Sequence, residues 1–167
     1  EPMPMAIIPR RIESAPRSGP TVRSSTTAKS TAALSAATAV LVTVHPQMLD
    51  VMSMCEFLLL TSDLLGVVGD AGGDMSYDWM RYVSTRYEPG YGPQNQMVSF
   101  MRSMFGEYVL NHPMLKSTAI SDAGITKQTL YEVEKSQFTR STYERAIESI
   151  NAVNDEIAGL MQEAWGR

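Results

Sequence analysis

The side chains able to do chemistry are few and widely spaced in this 167-residue chain. Cys55 is the only cysteine, which excludes an intrachain disulfide, and no Cys/His spacing matches a zinc site. Met52, Met54 and Cys55 lie close in sequence, but on a helix they diverge, so they do not form a thioether copper site. Asp70, Asp74 and Asp78 form an acidic cluster on a glycine-rich loop. A phosphate cradle needs Lys followed by Ser or Thr, and a calcium loop needs acids at alternate positions, so the cluster reads as a connector ending in a helix cap. His45 and His112 are the only histidines, and neither has an acid or nucleophile beside it in sequence. Nucleophile-elbow, Walker, H-E-x-x-H and dinucleotide signatures are all lacking. The expectation is a non-enzymatic protein without metal or cofactor.

Binding chemistry is better represented. The chain is acidic overall, at net −4, yet residues 1–30 are basic through Arg10, Arg11, Arg17, Arg23 and Lys29. These five cations suit contact with nucleic acid or with an acidic neighbouring subunit. All 13 aromatic residues lie at or beyond Phe57, while residues 1–47 hold six of the nine prolines and 12 Ser/Thr. Such a segment gains little by folding on itself, so residues 1–45 read as an extended arm whose ordering cost is offset by a partner. Its Arg- and Ser-rich, acid-poor composition also matches an organelle transit peptide. The uncharged stretch 30–49 is diluted by hydroxyl side chains and reads as docked rather than membrane-spanning. Tyr87 and Tyr91 on a Pro/Gly-rich loop, with Met101 and Tyr108 on the next helix, are the expected interface residues.

The elements that must position these groups read as all-α: a bundle of four or five helices over 46–167, with Ala39 to Val44 able to add one edge strand to a partner. Pro46 opens a nearly continuous apolar helix from Met48 to Val68, stopped by Gly66 and Gly69. Trp79, Tyr82, Val83 and Tyr87 give a short aromatic helix. Met97, Met101, Met104, Phe105, Tyr108 and Val109 give a third, ending at Asn111-His112-Pro113. Nine of the 12 methionines lie between Met48 and Met114, as suits an adaptable core. Ser121, Asp122 and Gly124 read as a turn, and Thr126 as the cap of a helix through Phe138. A capping box at Ser141 and Glu144 opens the last helix. That helix carries a seam of Tyr143, Ala146, Ile150, Val153, Ile157 and Leu160, with a solvated face including Glu144, Arg145, Glu148 and Glu156.

In its long seam after a capping box, the last helix resembles the long helices of helical virion coat proteins; no residue role is carried over from them. The arm, the methionine-rich core and the missing catalytic set together predict a structural subunit of a large assembly, a self-assembling virion coat or capsid protein. The transit-like arm predicts, alternatively, an accessory subunit of an organellar membrane complex. Partners are then copies of the chain or other subunits, with nucleic acid reached through the arm, and the location is the virion or an organelle.

Overall fold

A computed structural model describes residues 33–72 and 76–166. Along them run β1 (Ala39–Val44), α1 (Met48–Asp70), β2 (Trp79–Ser84), α2 (Gly92–Phe105), α3 (Thr118–Ile125) and α4 (Arg140–Trp165). Single 3-10 turns occupy Gly106–Tyr108 and Lys135–Gln137. Contacts divide the chain into two compact units. One holds the described residues up to Val40 with Met52–Met80, the other Leu41–Val51 with Arg81 onward.

The chain is mostly helical, but the all-α expectation is corrected by a two-strand sheet of β1 and β2. Asp78 N–H donates to Thr38 O (2.7 Å) and Thr85 N–H to Val44 O (2.8 Å), so the paired residues advance together and the strands are parallel. Residues 109–115 continue this direction on the far side of β2 through parallel bridges Tyr82–Val109 and Tyr87–Leu115. Parallel neighbours need crossovers, which α1 and α2 supply.

The strand at Trp79–Ser84 replaces the short aromatic helix expected there. Five of its six residues are buried and Arg81 is half-buried, so both strand faces are covered. A strand buried on both faces loses its polar alternation, and the spacing of Trp79, Tyr82 and Val83 then mimics a helical stripe. Of the arm read over 1–45, residues 1–32 lie outside the described residues, and 39–44 form β1. The partner that β1 was expected to find elsewhere is β2 of its own chain.

Helix α1 buries Val51, Met54, Leu58 and Thr61, spaced by three and four on one stripe. The buried Thr61 hydroxyl is satisfied by donating to Phe57 O at 2.8 Å. The helix continues through Gly66 and Gly69 to Asp70, so these glycines do not stop it.

Helix α2 ends earlier than His112. Gly106 closes it at φ 54°, ψ −126°, a conformation open to glycine and costly for other residues. A Cβ at Gly106 would meet nothing within 4 Å. Gly106→Ala should therefore lose stability through backbone strain alone, by about 1–3 kcal/mol. Urea unfolding with an unchanged midpoint would refute this.

Ser117 caps α3 by accepting the Ala119 N–H at 3.2 Å. Ser121, Asp122 and Gly124, expected in a turn, lie inside this helix. The helix expected from Thr126 to Phe138 is replaced by turns, because side chains there capture the backbone. The Glu132 carboxylate takes both the Thr129 N–H (2.7 Å) and its hydroxyl (2.8 Å). Thr139, not Ser141, precedes the first residue of α4, and Glu144 pairs with Arg140 (2.7 Å) instead of closing a capping box.

The second unit has two apolar clusters. Ala119, Ala123, Leu130, Val133, Tyr143 and Ala146 form one around the first turns of α4. Val83, Leu110 and Val153 form the other, with Leu41, Met114, Ile157 and Leu160 against it. The seam read along the last helix thus supplies both.

Candidate functional site

Among the described residues, no group of three His, Cys, Asp or Glu is placed to hold a metal ion. Arg10, Arg11, Arg17, Arg23 and Lys29 lie outside the described residues. Tyr91 is exposed just before α2. Tyr87 is half-buried, with its hydroxyl donating to Asn95 Oδ1 at 2.5 Å and its backbone bridging Leu115. Met101 is fully buried, and Tyr108 lies under the Arg81 guanidinium, 5.1 Å from the ring centre. The structure therefore does not gather the four expected interface residues onto one exposed face.

What sequence reading missed is the anchoring of the 111–115 segment to α4. The Glu156 carboxylate accepts the Asn111 N–H (2.8 Å) and side-chain amide (3.1 Å) on one oxygen. Its other oxygen accepts the His112 N–H (3.0 Å) and stands 2.9 Å from His112 Nδ1. Two turns earlier, Ser149 Oγ accepts the Leu115 N–H (2.8 Å) and donates to Pro113 O (3.2 Å). Glu156, expected on the solvated face, is thus committed to the loop. Burial raises its carboxyl pKa, the Asn111 and His112 hydrogen bonds and the His112 charge lower it, and the net position is below the usual value. No local sequence signal links residues 44 and 45 positions apart.

Among the described residues, two features leave apolar surface without cover. Strand β1 has a strand partner on one edge only among the described residues. Its run Ala-Val-Leu-Val-Thr-Val is apolar on both faces, the composition of an interior strand in a parallel sheet. An open apolar edge of this kind invites another strand. Helix α1, expected to be covered on almost every side, buries one stripe and exposes Met52 (58%), Leu59 (47%), Leu60 and Val67 (67%) on the other. By length and composition, Met48–Asp70 is also apolar enough to cross a membrane. Its place between two paired parallel strands makes it a crossover helix, about 34 Å long at 1.5 Å per residue.

No protein-family model matches the chain. Two bacterial proteins do. A "Putative replication protein A" of Rhizobium rhizogenes is 65% identical over 135 residues, covering 81% of this chain and 33% of the relative. A protein of the same name from Sinorhizobium fredii (strain NBRC 101917 / NGR234) is 62% identical over the same length and shares. The chain is similar to proteins named for replication. It spans about a third of the length of the curated relatives it matches. This similarity overturns the virion coat expectation, the organellar alternative and both locations attached to them. Basic, hydroxyl-rich composition at the N-terminus did not discriminate among these classes, because it reports charge and low apolar content rather than any particular partner.

Proposed function

We propose that this chain serves in bacterial replication as a non-enzymatic segment, completed by the part of a longer replication protein that it does not span. The extent of the match supports this reading: 135 residues align closely with relatives three times as long. The open edge of β1 and the exposed stripe of α1 are the surfaces such a remainder would cover. The occupant has defined chemistry: a further parallel strand beside β1, and apolar side chains against Met52, Leu59 and Val67. Covering these surfaces removes an edge that otherwise templates aggregation.

The test mixes the purified full chain with the separately expressed remainder of the Rhizobium rhizogenes relative. A one-to-one complex is expected by sedimentation, with slowed hydrogen exchange at 39–44. The Met52→Glu, Leu59→Glu double variant should weaken it at least tenfold, because two charges would be buried unpaired. Its circular dichroism should match the parent, since both residues are exposed. A chain that stays monomeric and binds nothing, or a double variant that binds normally, overturns the proposal.

A further inference from the structure

A cleft of about 360 Å³ opens in the second unit, lined at its polar rim by Lys116, Ser117, Thr118, Ser141, Thr142 and Arg145. Two cationic side chains from separate elements reach it, and the rim contains no carboxylate. Among the described residues Arg145 has no ion-pair partner. Lys116 pairs with Glu88 at 2.9 Å, and both side chains are about half exposed. Such a solvated pair exchanges partners readily. Four hydroxyl groups complete the rim. Ser117 uses its oxygen as an acceptor for the Ala119 N–H, which leaves its O–H to donate. Thr142 Oγ1 likewise accepts from Thr139 at 2.7 Å and retains a donor.

The backbone adds to this charge. The first turns of α3 and α4 contribute to the same cleft. The first N–H groups of a helix have no intrahelical acceptor. In α4, Thr139 makes no side-chain cap bond and its carbonyl already takes the Thr142 and Tyr143 N–H groups (3.0 and 3.1 Å), so the amides left for a ligand are those of Arg140 and Ser141. Cations, hydroxyls and helix amides are the donors that proteins bring to phosphate oxygens. In a chain of net charge −4, this cleft is a local reversal of sign.

We propose that this cleft is an oxyanion site that takes a phosphate group, held by Arg145 and Lys116 and oriented by the Ser117, Thr118, Ser141 and Thr142 hydroxyls. The site does not depend on the docking surfaces of β1 and α1. The same phosphate chemistry is offered by a free phosphate ester and by a nucleic acid backbone, which the probes separate.

The experiment follows backbone amide shifts of the ¹⁵N-labelled full chain during titration with inorganic phosphate, deoxyadenosine monophosphate and a short DNA duplex. Chloride at equal ionic strength is the control. Saturable shifts are expected at 117–119 and 141–145. Arg145→Gln and Lys116→Gln should each weaken binding about tenfold, the worth of one charge-assisted contact. Arg140→Gln, which removes a neighbouring cation outside the cleft lining, should leave affinity unchanged. Tighter binding of the monophosphate identifies a free ester, and tighter binding of the duplex identifies a nucleic acid backbone; both support the site. If a folding defect obscures a charge variant, Thr118→Val, which leaves both cations and the Ser117 cap in place, should still weaken phosphate binding, and unchanged affinity in it overturns the proposal. Absence of saturable shifts with every probe, equal affinity in both cleft variants, or an equal loss in Arg140→Gln overturns the proposal.

Discussion

Tyr82→Ala is expected to destabilise the protein by about 3–5 kcal/mol, the cost of removing a buried aromatic side chain. Tyr82 is 2% exposed in the middle of β2, and its ring stacks on Phe105 with centres 4.6 Å apart. The stacking adds to the loss of buried area. The main chain at the same residue is structural too: Tyr82 O accepts the Leu110 N–H at 2.8 Å, and Tyr82 bridges Val109. One side chain therefore braces the strand against α2 where the next parallel segment begins to pair. Tyr82→Phe keeps the ring and should cost about 1 kcal/mol or less. Urea denaturation of the three proteins checks the ranking, and a Tyr82→Ala midpoint close to that of Tyr82→Phe would show that the ring is not a packing centre.

Tyr82 also shows which parts of the fold were legible in sequence. Its apolar neighbourhood was readable, but its periodicity was ambiguous, since a short run buried on both faces satisfies a strand and a helix equally well. The long elements escaped that ambiguity. The apolar run from Met48 and the seam from Tyr143 are both helices, at Met48–Asp70 and Arg140–Trp165. Their ends were less legible. Thr139 and Ser141 are both plausible caps, and Gly66 sits inside α1 although glycine commonly ends helices. Pairing between distant segments was not legible. Nothing local to Ala39–Val44 says that its neighbour begins at Trp79. The cleft was hidden for the same reason: Lys116 and Arg145 are 29 residues apart and converge only because α3 and α4 both begin there. In the linear reading Arg145 was one more charge on a solvated face.

The anchoring of the 111–115 segment leads to a prediction in pH. Glu156→Gln keeps one oxygen for Asn111 but turns an amide donor toward the His112 N–H, which is itself a donor. The side chain of Glu156 is only 18% exposed, so the lost contacts are partly shielded from water. The expected cost at pH 7 is about 1–2 kcal/mol, in the range of a charge-assisted hydrogen bond less solvent screening. Burial pulls the Glu156 pKa up, the donors from Asn111 and His112 and the His112 charge pull it down, and the folded value lies below the ordinary 4.5. The folded state thus binds this proton more weakly than the unfolded chain does. Stability from Glu156 is then fully present above pH 4.5 and is lost as pH falls through the depressed folded value. The parent protein should lose stability on acidification more steeply than Glu156→Gln, and the gap between them should narrow below pH 4.5 and close at the acid end. Unfolding free energies measured from pH 7 downward would decide it. Two curves that stay parallel throughout would mean that the carboxylate does not hold the loop to α4.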